Sequence, residues 1–347
     1  MRLNVVRKHR GLRALYCEDN GILCARGFDI VRIEDTGQQA LLARVPASSI
    51  QRLLAGCRVT RQGLRLGIHH LWRLGDGGLL AVCKRRILKQ SQNNLPFREV
   101  SAIHRGNKPA SKGVVVCPDG TVLYGEYAMN IDRSLPIAVY RSTDHAESFQ
   151  KSYEFPPGDI RHIHFIQWDS VEQCLWMGTG DANPECRLYR SDDVGLKWRL
   201  IGSGSQAWRA VGVAFTQGHL YWGTDAGSDA GETLNYIVRL ARGSVCLEQV
   251  KEVQGPCHGI CRSGDGLLFV ATGVEGGRNE KDRNPHLWAS KDGSEWIEVM
   301  SWMKDMLPNI VQYGVVHFPN GTQRGDRLHF TALGLRGAGE LYGIGTV

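Results

Sequence analysis

Three carboxylates recur in one local context. Glu126 stands in GEY, Asp181 in GTGD and Asp225 in GTDAG, each close behind a short apolar run that reaches glycine. A pair of carboxylates roughly 5–9 Å apart is what glycosidic-bond hydrolysis requires, one as proton donor and one as nucleophile or base. Histidines gather near the starts of other predicted strands: His69, His162, His164 and His258, with His70 beside the first. His162 and His164 are two residues apart, so an extended strand points them the same way. Imidazoles so placed can hold a divalent metal or move protons. Glu126, Asp181, Asp225 and His162 are therefore the candidate catalytic residues. Arg161, His164, Gln206, Trp208, Arg209, His258 and Tyr313 are the candidate substrate-binding residues, and any metal falls to His69, His162, His164 and His258. No other cofactor is expected. Each group also has a local reading: the acids cap turns or pair with Arg161 and Arg209, and the histidines hydrogen-bond within a wall. Cys257 and Cys261 do not form a metal pair, because residues four apart on a strand are roughly 13 Å apart.

Such scattered residues need a fold that brings them together, and the sequence carries a repeat. YRSTDHAESF (140–149), YRSDDVGLKW (189–198) and LWASKDGSEW (287–296) each end a strand in Ser-x-Asp, turn, and resume at an aromatic residue. Ser142, Ser191 and Ser290 mark intervals of 49 and 99, so one repeat is hidden between the last two. NYIVRLARG (235–243) fills that gap with Leu240 in the serine slot. RILKQSQNNLPF offers Ser91, Asn93 and Phe97, DIVRIEDTG offers Ile33, and ELYGIGTV carries the same strand at residue 344. Seven slots of about 50 residues result.

Each repeat reads as four strands, A to D. The fourth is the clearest, with RHIHFIQWD, CLWMGTGD, CRLYRSD and WRLIGSG; the fifth repeats it from WRAVGVAF (208–215). The last repeat has three strands, and NVVRKH near the N-terminus can supply its fourth. The expected fold is all-β: one domain over 1–347, a seven-bladed β-propeller closed by the N-terminal strand. A six-bladed ring is the alternative. PASSIQRLLAG (46–56) reads as a short capped helix inserted in the long first interval.

The Ser-x-Asp turns resemble the Asp-box, Ser-x-Asp-x-Gly-x-x-Trp, of sialidase-like propellers. Ser191, Asp193, Gly195 and Trp198 match throughout. The first copy has Ala146 and Phe149 in the last two slots, and the third is one residue shorter. The resemblance implies that these turns lie on the face opposite an active site. RHIHFIQWD, WMGTGD, GSQAWRAV and WGTDAG are also similar to uncharacterised sialidase-like proteins of bacterial polysaccharide gene clusters, which implies a carbohydrate ligand. The Arg-Ile-Pro motif of true sialidases is absent, so their mechanism is not carried over. The expected function is a glycoside hydrolase acting on a bacterial or anionic glycan. The alternatives are a metal-assisted polysaccharide lyase and a non-catalytic glycan- or protein-binding propeller.

The formal charge of +7 admits acidic partners, but lysine and arginine are scattered. Their densest groups, Arg7, Lys8, Arg10 and Arg13, then Lys84, Arg85, Arg86 and Lys89, are expected on solvent-facing strand positions. Neither nucleic acid nor a membrane is expected as partner. With no apolar leader in MRLNVVRKHRG and ten cysteines mostly among apolar neighbours, the expected setting is the reducing cytoplasm.

Overall fold

The computed structural model describes residues 2–92, 95–324, 327–337 and 340–346. Asn93 lies outside the described residues. Seven four-stranded antiparallel sheets form the blades. Strand A begins at Arg13, His70, Val114, His162, Ala214, Cys257 and Val315 in blades 1 to 7. Six of the seven slots read from the sequence fall on strand C of successive blades, including Asn235–Ala241 in blade 5, and Ser91 directly follows strand C of blade 2. Asn4–Arg10 pairs antiparallel with Glu340–Thr346 and is the fourth strand of blade 7, which closes the ring.

Alternation with period two explains the layering. Strand B is buried on both faces, as in Cys174–Gly180 and Leu268–Thr272, because each blade packs between two others. The apolar core is accordingly a series of clusters between blades. Leu175, Met177 and Trp198 of blade 4 pack with Leu123 and Val139 of blade 3. Trp176 and Leu188 of blade 4 pack with Trp222 and Val238 of blade 5. Tyr342 of blade 7 joins Ile22, Val31 and Ile33 of blade 1, so the closing joint has the same construction as the others.

The Ser-x-Asp turns close on themselves. The Ser191 hydroxyl donates to Asp193 Oδ1 at 2.9 Å and accepts from Gly195 N at 2.8 Å. Asp193 Oδ1 also accepts from Leu196 N and Lys197 N. Gly195 has φ +86°, and a Cβ there would lie 2.2 Å from Leu123 of the neighbouring blade. Ala146 takes the same left-handed conformation with φ +63°, at the strain a Cβ imposes.

The insert contains the expected helix, Ser49–Gly56, with Ser48 and Gln51 forming a capping box. A second helix, Arg58–Gly63, follows directly and had no apolar periodicity to announce it. Two expectations fail. Lys89 is 2% exposed, not solvent-facing, because its ammonium binds Asp76 and Glu147 at 2.7 and 2.8 Å. The strand expected over 208–215 is cut to Ala214–Phe215, and Gln206–Trp208 ahead of it forms a 3-10 turn. Among the described residues, no helix is long and apolar enough to cross a membrane.

Candidate active site

Strand A lines the central channel, and its irregularities aim the site. In blades 4 and 6 the pairing of strand A with strand B slips by one residue, between Ile163 and Phe165 and between Cys257 and Gly259. The extra residues are His164 and His258. A bulge re-aims one side chain out of the regular alternation, and here it turns an imidazole into the channel twice. Glycine at the end of strand B (Gly180) or just beyond it (Gly273) makes the room. A Cβ on Gly180 would lie 2.8 Å from the His164 ring, and one on Gly273 would lie 2.2 Å from the His258 ring.

In blade 4 His162 and His164 are both buried. His162 Nδ1 lies 3.1 Å from Ala128 O, and His164 Nδ1 lies 3.3 Å from Ala210 O. The two Nε2 atoms face each other at 3.0 Å. Asp181 Oδ1 is 3.0 Å from His164 Nε2 and 3.4 Å from His162 Nε2. Arg161 Nη1 donates to Asp181 Oδ2 at 2.6 Å, and Arg209 Nη2 lies 2.9 Å from Oδ1. Burial would raise the Asp181 carboxyl, but the positive charge of Arg209 opposes it and helps hold the group below the usual carboxylate range. Tyr127 roofs the group, its ring 4.1 Å from that of His162.

Arg209 is the hinge to a second cluster. It binds Asp229 Oδ1 through Nη1 at 2.8 Å, and its Nε lies 3.6 Å from Asp225 Oδ2. Asp225 is followed by His258, whose Nε2 is 4.0 Å from Asp225 Oδ1 and 2.9 Å from Glu275 Oε1. The last contact is an ion pair without hydrogen-bond alignment, and Asp225 Oδ1 has no hydrogen-bond partner. Burial pushes the Asp225 carboxyl up to about 7, with Arg209 and His258 opposing and Glu275 adding to the rise. Burial lowers His258, but Glu275 and Asp225 more than offset it and lift the imidazole to about 8. Burial also acts to raise Glu275, yet His258 and the Ser228 N–H hold it below its ordinary value. Tyr313 stands beside this cluster, 6.1 Å from the His258 ring.

The facing wall is cationic. A cavity of about 150 Å³ is lined by Arg13, Arg65, His69, Lys108, Gln312 and His317 among others, and no described lining residue is acidic. Burial and the charges of Arg13 and Arg65 bring the Lys108 ammonium down to about 8. Burial keeps His69 well below its ordinary value and His317 at about 3. Arg13 therefore faces the channel instead of solvent, contrary to its expected place. His69 lies on this wall, away from His162, His164 and His258.

The expected carboxylate set is rearranged. Glu126, Asp181 and Asp225 are not at equivalent positions. Cross-strand register aligns Gly125 with Gly178, Gly223 and Ala271, opposite Val139, Leu188, Ile237 and Leu287. Glu126 then matches Thr179, Thr224 and Thr272. Those hydroxyls bond the backbone at or just before strand C, at Glu185 O, Tyr236 N and His286 N. Glu126 Oε2 does the same, accepting from Ala138 N at 2.9 Å, with Arg105 at 3.8 Å. Its carboxyl points into the blade and is raised by burial. Asp225 instead matches Tyr127, and both face the channel. Gln206 supports the site from below, donating to Asp181 O at 2.7 Å. Trp208 packs over Gly202 and against Trp222, 6.0 Å away, and presents no surface to a ligand. Glu275, Asp229 and Lys108 were not singled out as site residues. GVEGG was a visible signal for Glu275, since it ends a strand B as GTGD and GTDAG do.

Two sets of donor atoms are close enough to share one cation: His162, His164 and Asp181, and Asp225, His258 and Glu275, each within 4.8 Å of one another. A groove of about 450 Å³ leads over Arg161, Asp181, Asn183 and Asp229 toward Thr233.

No family model and no curated protein matches this chain. Solved structures do. A catalytically inactive variant of virginiamycin B lyase from Staphylococcus aureus with quinupristin is 16% identical, with a TM-score of 0.61 over 100% of this chain and 98% of that one. An ancestral GH74 enzyme is 10% identical, with a TM-score of 0.57 over 96% of this chain and 45% of that one. A protein from Lactobacillus plantarum is 13% identical, with a TM-score of 0.53 over 96% and 94%. The chain shares the β-propeller fold with these proteins. At such identities the likeness is one of fold.

Proposed function

We propose that this propeller is a carbohydrate-active enzyme that cleaves a glycosidic bond in an anionic glycan at the channel mouth. The observation that carries the reading is the Asp225–His258–Glu275 group. Its donor atoms lie within 4.8 Å, and its two carboxyls are pushed in opposite directions, Asp225 up to about 7 and Glu275 below its ordinary value. Carboxyls with such divergent environments divide the roles of acid and base between them. Asp225 keeps a proton to donate to the leaving oxygen. Glu275 stays ionised and supplies the nucleophile or the stabilising charge. The separation belongs with the short one of retaining enzymes, roughly 5–5.5 Å. The wall of Arg13, Arg65 and Lys108 suits an acidic group on the sugar. Related folds carry a lyase and an ancestral GH74 enzyme, and fold alone assigns no reaction.

The experiment is turnover of a panel of neutral and uronate-containing bacterial polysaccharides by the full chain, with products separated by chromatography. Hydrolysis yields saturated reducing ends. Asp225→Asn loses them, and Glu275→Ala regains part of its rate with added formate. Undiminished hydrolysis by Asp225→Asn overturns the assignment.

The cationic wall favours a second reading, β-elimination. Abstraction of a proton beside a carboxylate needs that carboxylate neutralised, which Lys108 with Arg13 and Arg65 supply; His258, charged up to about pH 8, takes the proton only in its neutral form, and the C–O bond to the leaving sugar breaks as the double bond forms. The ultraviolet absorbance of an unsaturated product separates this outcome from hydrolysis.

A further inference from the structure

We infer that His162, His164 and Asp181 form a binding site for a divalent first-row metal ion. The argument begins with the far side of each ring. A backbone carbonyl can only accept, so the contacts of His162 Nδ1 with Ala128 O at 3.1 Å and of His164 Nδ1 with Ala210 O at 3.3 Å place the hydrogen on Nδ1 in both rings. Each neutral imidazole then presents a bare lone pair at Nε2. These lone pairs face each other at 3.0 Å, and Asp181 Oδ1 completes the triangle at 3.0 and 3.4 Å. Three electron-pair donors thus converge in a buried spot with no hydrogen among them. A single added proton bridges one pair of these atoms and leaves the third facing a lone pair. A metal ion satisfies all three. Second-order support is the Nδ1–H···O=C arrangement itself, which is how metal-binding histidines are usually oriented.

The connected network holds four carboxylates, Asp181, Asp225, Asp229 and Glu275, against two guanidiniums, Arg161 and Arg209. With His258 also cationic the excess is one negative charge when all four are ionised, and none while Asp225 holds its proton. Asp181 then bridges the ion and Arg209, which fixes the carboxylate from its other side.

The donor types, more than the spacing, point to the class of ion. A metal about 2.1 Å from each nitrogen would see nitrogens 3.0 Å apart at about 90°. That is the angle between neighbouring octahedral positions, while the 3.4 Å between His162 Nε2 and Asp181 Oδ1 is close to a tetrahedral spacing. Two imidazoles and a carboxylate on one face of an octahedron, without a thiolate, suit Mn²⁺ or Fe²⁺ and leave positions for water or a ligand oxygen. Of the four histidines open to this role from sequence, His69 lies on the facing wall and His258 is committed to Glu275.

The inference stands apart from the glycosidic reading, since it concerns binding and is read without substrate. Full-length protein is purified without a polyhistidine tag, analysed for bound metal by mass spectrometry, stripped with chelator, and titrated with Mn²⁺. Free Mn²⁺ is followed by its electron paramagnetic resonance signal. The expected result is one Mn²⁺ per chain, with His162→Ala and His164→Ala each weakening binding by at least about tenfold. His286→Gln serves as control. It removes an outer histidine held 3.0 Å from Asp282 and 3.1 Å from Glu298, and should leave Mn²⁺ binding unchanged. His162→Gln and His164→Gln carry the same test where the alanine variants do not fold. Absence of saturable binding at millimolar Mn²⁺, or binding that both channel variants retain, overturns the proposal.

Discussion

The two ends of each blade use the same residue types in opposite ways. At the Ser-x-Asp turns, Ser191 and Asp193 find their partners within four or so residues, and the groups are fully occupied. At the channel mouth, Asp181, Asp225 and Glu275 bind residues from other strands and other blades, and Asp225 Oδ1 is left without a hydrogen-bond partner. Local closure makes a turn that depends on nothing else. Long-range, incomplete closure makes a group whose charge is decided by its surroundings, which is the condition for chemistry. The difference teaches that carboxylates in this fold are to be sorted by the distance of their partners, not by their exposure.

The largest effect should come from the open end. Asp225→Asn should lower turnover roughly 10²–10⁴-fold, as loss of a general acid does, while circular dichroism and the melting temperature show an intact ring. Full activity would erase the distinction between the two ends. Next, Lys108→Met should raise KM for an acidic substrate roughly tenfold or more and leave kcat nearly unchanged, because it removes a charged contact made equally by substrate and transition state. A fall in kcat alone would move Lys108 to the reacting centre.

A smaller effect is a pH dependence of stability. Asp225, surrounded by Arg209, His258, Glu275 and Asp181, has its folded value raised to about 7. The folded state therefore holds a proton that the unfolded chain releases near pH 4. The stability this confers is complete below the unfolded value and is lost as pH rises through about 7. His258, raised to about 8, acts in the same direction between its ordinary value and pH 8. Melting temperatures should fall from pH 5 to pH 9, and Asp225→Asn should flatten the part below pH 8. The same groups predict hydrolysis that declines above about pH 7 as Asp225 loses its proton. At the closed end, Ser191→Ala should cost about 1 kcal/mol and leave kcat and KM unchanged. Any loss of turnover there would break the comparison from the other side.

Local chemistry made much of the fold legible. Serine spacing located strand C in every blade, even where Leu240 had replaced the serine, because the strand must recur for the ring to close. Ser48 announced a helix through a cap that needs only its own neighbours. What stayed hidden depended on distant partners. Lys89 looked like a solvent-facing charge until Glu147, 58 residues away, was placed against it. Glu126 looked like Asp181 and Asp225 because all three end strand B near glycine. Strand register alone shows that Glu126 matches Thr179 and Thr224. The histidines were correctly assigned to strand starts, but the bulges that aim His164 and His258 have no signature in residue type.

The ring is closed by its first and last strands, with Asn4 opposite Thr346 and Arg10 opposite Leu341. In time, this means that the earliest strand to be synthesised waits for the latest. Blades 1 to 6 can form from neighbouring segments as the chain emerges, whereas blade 7 joins residues more than 300 apart and is the slowest contact to make. Until then the growing arc exposes an apolar blade face at each end, a surface that invites association with other chains. The seam that completes the channel is thus the pairing with the longest sequence separation in the ring.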